Sequence, residues 1–149
     1  LEMAGYRTVG IGGVGWFDDK AKSSDFWGRD YFQEFYWSEK FKETNKIPFK
    51  AQLGMANELR LKEQEKLFFF LNASDTHIPY QGFGRNPEGQ SKALGCVDKL
   101  FPQLVSLLPD DTVIVVTADH GDCMGEDGLW GHAIYHPKVM EVPMTIIRK

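Results

Sequence analysis

Uninterrupted apolar runs alternate along this chain with stretches in which apolar residues recur every three or four positions. Two runs stand out, Leu67-Phe68-Phe69-Phe70-Leu71 and Val113-Ile114-Val115-Val116. Each is short and bounded by polar or turn-forming residues, the pattern of a strand covered on both faces in a parallel sheet. Residues 6–11 predict a further strand, and the apolar stretch within 142–147 another. Helical spacing links Leu53, Ala56 and Leu59 or Leu61 over residues 49–66. It also links Leu94, Val97, Leu100 or Phe101, Leu104 and Leu108 over residues 91–108. Residues 24–36 read as a shorter amphipathic helix capped near 23–25, inside an aromatic-rich segment, 17–49, that reads as a satellite hydrophobic cluster. The stretch 91–108, the Pro109-Asp110-Asp111 turn and the strand after it read as half of a βαβ crossover, so the pattern predicts an α/β fold: a mostly parallel sheet flanked by helices.

Chemistry gathers where the apolar runs stop. Asp119 and His120 follow the second run almost directly, and His77 takes the same kind of position after the first. In open α/β sheets the carboxyl ends of the strands are where ligands bind. A carboxylate beside an imidazole suits a divalent cation, and Gly121 is expected to turn the backbone so that both side chains face one point. An Asp-His dipeptide alone reads first as a capped turn with a partly exposed histidine; two histidines at two strand ends are harder to dismiss. Gly10, Gly12, Gly13 and Gly15 crowd the exit of the first strand, which implies positive φ or a close approach to a neighbour. No helix pattern follows directly, so this is not a dinucleotide fingerprint.

With 149 residues, 42% of them apolar and 26% charged, the chain has the composition of one soluble globular domain with a real core. A net charge of −4 gives no electrostatic reason to expect nucleic acid or an anionic membrane surface as partner. Cys96 and Cys123 form neither a disulfide framework nor a CxxC pair. Cys123 lies close to the Asp-His pair but has no activating base in the local sequence, so it reads as a buried thiol. No apolar stretch is long enough to span a bilayer, and Leu1-Glu2-Met3 opens no basic-then-apolar leader. That leaves the compartment open, with the cytoplasm as the default. Residues 1–5 read as the last turn of a helix capped by Gly5, an odd start for a domain, so the chain is expected to be part of a longer one.

The segment Thr117-Ala118-Asp119-His120-Gly121-Asp122-Cys123-Met124-Gly125-Glu126-Asp127-Gly128-Leu129-Trp130-Gly131-His132, followed by Val142-Pro143, resembles the C-terminal signature of the sulfatase-like branch of the alkaline phosphatase superfamily. Upstream, Thr76-His77-Ile78-Pro79-Tyr80 and Gly5-Tyr6-Arg7-Thr8 followed by Ile11-Gly12 are similar to that family in the same order. The resemblance spans nearly the whole chain. It implies an alkaline-phosphatase-like α/β fold, incomplete at the N-terminus, with residues 1–149 as the C-terminal part of a single catalytic domain. It further implies a metal-dependent hydrolase or transferase acting on small sulfate or phosphate (phosphono) esters. Asp119 and His120 would bind the divalent metal (Zn, Mn, Ca or Mg), and His77 would contact the anionic group of the ester. His132, thirteen residues after Asp119, stands where typical sulfatases have lysine and phosphoethanolamine transferases have histidine. It would donate to an ester oxygen, or ligate a second metal if one is present. His136 matches no family position and reads as a surface or supporting histidine.

Two departures shape the expectation. The lysine and histidine that follow the Gly-Tyr-x-Thr strand in typical sulfatases are replaced by Gly12-Gly13-Val14-Gly15-Trp16, which puts phosphoesters level with sulfate esters. The family nucleophile, a serine, threonine or the cysteine of Cys-x-Pro-x-Arg, is expected N-terminal to these residues, so the fragment alone is expected to be inactive. The alternative is a non-catalytic binding module or an inert fragment of such a domain. The oligomeric state stays open.

Overall fold

The computed structural model describes residues 1–18, 28–64 and 66–149, arranged as two compact units, Leu1–Pro109 and Asp110–Lys149. In the first unit, β1 (Arg7–Ile11) is the middle strand of three. It pairs in parallel with β2 (Glu34–Tyr36) on one side and β3 (Leu67–Leu71) on the other, Val9 lying opposite both Glu34 and Phe69. Parallel neighbours need crossover connections, and helices supply them. α1 (Gly28–Tyr31) precedes β2, and α2 (Pro48–Glu58) joins β2 to β3. α3 (Pro87–Leu107) follows β3 and packs on α2. Val9 and Ile11 are fully buried, as the middle strand requires, whereas β3 is a partly exposed edge strand with Phe68 at 44%.

The expected helix at 24–36 is replaced by a shorter pattern. Residues 24–27 lie outside the described residues; beyond them only Gly28–Tyr31 is helical, and Glu34-Phe35-Tyr36 is a strand. A two-point ion pair wins here: Arg7 Nε and Nη2 donate to the Glu34 carboxylate at 2.6 and 2.9 Å, tying β2 to β1. The aromatic cluster then covers the sheet, with Phe32 against Phe35, Phe68 and Phe70 at ring-centre distances of 5.6, 6.1 and 5.7 Å. The helix predicted over 49–66 ends at Glu58. Arg7 Nη1 donates to the Leu59 carbonyl at 3.0 Å, Arg60 turns into the left-handed region, and Leu61 is driven into the core at 1% exposure.

The strand exits are clasped by side chains. Gln52 of α2, fully buried, donates Nε2 to the Asn72 carbonyl at 2.8 Å and towards that of Gly12 at 3.4 Å. Asn72 Oδ1 accepts from the Gly13 and Val14 amides. A Cβ on Gly13 would stand 2.2 Å from the Asn72 carbonyl oxygen, so this glycine answers a close approach and not a positive φ. Asp75 performs the same service one turn later. Its carboxylate accepts from the Phe49 amide at the start of α2 (2.9 Å) and from Gln81 Nε2 (2.7 Å).

The second unit departs from expectation. β4 (Val113–Thr117) does not join a parallel sheet among the described residues; it pairs antiparallel with β7 (Met144–Arg148), Val115 opposite Ile146. Nor is it buried, since Val113, Val115 and Ile146 are 61%, 54% and 62% exposed. The unit's single helix, α4 (Pro137–Met140), has four residues, too few to cover an apolar two-stranded ribbon. A smaller ribbon, β5 (Cys123–Met124) with β6 (Trp130–Gly131), completes it. No helix among the described residues is long and apolar enough to cross a membrane.

Burial pushes the Asp75 carboxyl up from 3.8 to about 6, against the opposing pull of the Phe49 amide. The folded state therefore binds this proton more tightly than the unfolded chain, and the associated stability is present at acid pH and lost as pH rises through about 6. Denaturant titrations at a series of pH values should show native protein losing up to about 3 kcal/mol relative to Asp75→Asn between pH ~4 and ~7. Parallel curves for the two proteins would refute this.

Candidate metal and anion site

β4 delivers Thr117, whose hydroxyl donates to the Pro143 carbonyl at 3.0 Å and holds the strand end beside the segment leading into β7. The loop that follows is pressed onto α4. The Gly121 amide donates to the Val139 carbonyl at 2.9 Å, and a Cβ at Gly121 would lie 2.1 Å from the Lys138 carbonyl oxygen. The sequence reading gave Gly121 the task of a sharp turn. Its φ is outside the left-handed region, and the need for glycine comes from this backbone-to-backbone approach.

Asp119 and His120, adjacent in the chain, lie side by side. Asp119 Oδ1 accepts from the His120 amide at 3.1 Å, and its Oδ2 stands 3.8 Å from His120 Nε2. His120 Nδ1 lies 2.9 Å from the Gly121 carbonyl. A carbonyl only accepts, so Nδ1 carries the proton and the lone pair lies on Nε2.

His132 is placed by strand register. Cys123 pairs with Gly131, so the next residues outward, Asp122 and His132, stand opposite one another across the ribbon. Asp122 Oδ1 is 2.8 Å from His132 Nδ1, and the His120 and His132 ring centres are 4.2 Å apart. Asp122 was not singled out from the sequence. The signal was there in Gly125-Glu126-Asp127-Gly128 between two short strand segments, which marks a tight connection and thereby the register.

The donor atoms of His120, Asp122 and His132 all lie within 4.8 Å of one another. Two donors that share a metal at ~2.1 Å stand at most about 4.2 Å apart. The Asp119–His120 pair meets that limit as it stands, and the three-residue group meets it with a small side-chain adjustment. The residues therefore fit a divalent cation with mixed imidazole and carboxylate ligation. Beside the two histidines a recess of about 440 Å³ opens between Ile134, Tyr135, Val139 and Met140, so the imidazoles border open volume.

The remaining candidates separate cleanly. His77 is on the loop leaving β3 in the first unit; its Nδ1 lies 2.9 Å from the Ile78 carbonyl, and its own carbonyl accepts from the Tyr80 amide. His136 is structural: it caps α4, Nδ1 accepting from the Lys138 amide at 3.1 Å. Cys123 is 1% exposed, and burial with Glu126, Asp127 and Asp122 nearby pushes its thiol up, which makes it a poor nucleophile.

The sequence profile of the Sulfatase family matches residues 1–148. Among individual proteins, a phosphopentomutase of Alkaliphilus oremlandii is 37% identical over 62 residues, covering 42% of this chain and 16% of that protein. A phosphopentomutase of Deinococcus radiodurans is 35% identical over 63 residues, with the same coverage of 42% and 16%. The low-salt glycan biosynthesis sulfotransferase Agl7 of Haloferax volcanii is 29% identical over 150 residues, covering 83% of this chain and 36% of its own length. The chain thus spans between about one sixth and just over a third of the relatives it matches.

Gly121→Ala should force α4 off the loop. We expect a loss of about 1–3 kcal/mol in denaturant unfolding, the range for overpacking a tight contact. Divalent-cation affinity should weaken in the same protein, and an unchanged unfolding midpoint would contradict the contact.

Proposed function

The chain belongs to the sulfatase family, in the sulfatase-like branch of the alkaline phosphatase superfamily, and from that membership we propose that it carries the metal-binding part of an enzyme that cleaves or transfers sulfate or phosphate esters, phosphono esters included. The observation that carries this reading is the 3.8 Å separation of Asp119 Oδ2 and His120 Nε2, with the His132 ring centre 4.2 Å from that of His120. One relative is named for phosphate chemistry and another for sulfate transfer, so both ester classes belong to the proposal.

When bound, the cation supplies charge neutralisation at the non-bridging oxygens and lowers the pKa of the attacking group. Asp119 and His120 hold it. His132, with Nδ1 engaged by Asp122, works through Nε2, donating to an ester oxygen as negative charge develops on it. His77 contacts the anionic group, the role its place after β3 and the family resemblance give it. The proposal places the nucleophile outside these 149 residues, in keeping with a chain that covers 16% and 36% of the relatives it matches. Residues 1–149 are then the C-terminal part of one catalytic domain, and the piece alone binds metal without turning over.

Calorimetric titration with manganese or zinc tests the reading directly. The native chain should bind one equivalent, and Asp119→Asn or His120→Ala should weaken binding at least tenfold, the order found when metal-site residues are lost. Absence of binding heat in the native chain would remove the proposal.

A further inference from the structure

Asp122 is the residue whose surroundings go furthest beyond the ligand pair. Its side chain is only 10% exposed although it sits at the mouth of a surface hairpin, and its Oδ1 is 2.8 Å from His132 Nδ1. The β5–β6 register sets the two residues opposite one another. A carboxylate accepts and does not donate, so the ring nitrogen facing it must bear the hydrogen.

We propose that Asp122 is a positioning residue that locks His132 in its Nδ1-protonated tautomer and so assigns Nε2 as the nitrogen that meets the cation or the ester. The inference rests on His132 belonging to the site described above. Neutral His132 held this way offers an Nε2 lone pair, able to take a proton or to coordinate. Once Nε2 is protonated, it passes that proton to the departing oxygen; the imidazolium returns to the neutral Nδ1–H form with Asp122 still its acceptor, and no proton is left unaccounted for. Orientation by a carboxylate behind a working imidazole is a general device of both metal ligands and proton-transfer histidines. The competing role for Asp122, direct cation ligation, would take its oxygen away from the ring.

The two roles separate in long-range proton–nitrogen correlation spectra of the 15N-labelled chain, recorded with chelator at mildly alkaline pH, with His132 assigned by its absence in His132→Gln. Native His132 should carry its hydrogen on Nδ1. In Asp122→Asn the carboxamide can donate as well as accept, so the Nε2-protonated tautomer should become a substantial fraction while backbone amide signals elsewhere stay in place. An Nε2-protonated His132 in the native chain, or an unchanged tautomer in Asp122→Asn, overturns the inference; the native spectrum decides even if the variant does not fold. Saturation with zinc should leave the Nδ1 proton in place, and its loss would make Asp122 a ligand instead. Because the tautomer is read without metal, failure here is distinct from failure of the metal-binding reading, which the calorimetric titration decides.

Discussion

A strand that ends in a loop leaves backbone amides and carbonyls that must find partners, and this chain meets that demand with side chains and neighbouring backbone placed at the strand exits. At β1 and β3 the partners are Gln52 and Asn72, which clasp the two loops to each other and to α2. At β4 they are the Asp119 carboxylate on the His120 amide and the Val139 carbonyl on the Gly121 amide. The loops that carry the candidate chemistry are therefore held by specific hydrogen bonds within their units. Positioning to a fraction of an ångström is what phosphoryl- and sulfuryl-type transfer asks of a site, because charge placement accounts for most of its rate.

The same accounting sorts the four histidines. In His77, His120 and His132 the Nδ1 atom faces an acceptor, respectively the Ile78 carbonyl, the Gly121 carbonyl and the Asp122 carboxylate. Each of these rings faces an acceptor through Nδ1, which therefore carries the proton. His136 is reversed, its Nδ1 accepting from the Lys138 amide at the start of α4 while Nε2 lies 3.3 Å from Asp127. It secures a helix end. Tautomer, set by the immediate neighbour, thus divides the three histidines that the sequence placed in or near a site from the one that it did not.

What was legible in the sequence follows from range. Periodicity located β1, β3, α3 and β7, because each has its apolar pattern within its own residues. The same information misassigned β4: four successive β-branched residues fit a strand covered on both faces, but whether anything covers it depends on elements far away in the chain. The helix expected at 24–36 ends at Tyr31 for a related reason, since the Arg7–Glu34 ion pair that fixes the strand after it bridges 27 positions. Asp119 and His120 were readable because they are adjacent. Asp122 was not, because its partner is ten residues away and only the hairpin register brings the two together.

Electrostatics connects these geometric facts to function. Beside His120 and His132 the second unit places Asp119 and Asp122, and among the described residues no lysine or arginine lines the recess beside the two rings. The Met124 amide, donating to Glu126 at 2.6 Å, holds that carboxyl below its usual range and keeps it charged at neutral pH. A phosphate or sulfate ester approaching such a surface meets electrostatic repulsion. The sulfatases that the chain resembles are expected to offset this with a fixed lysine charge at the position where this chain has His132. In the proposed function a bound dication would supply positive potential to this cluster and invert the sign of the local field. Metal binding would then come before anion binding by necessity, and the acidic residues that repel the ester are the same ones that make the cation's site.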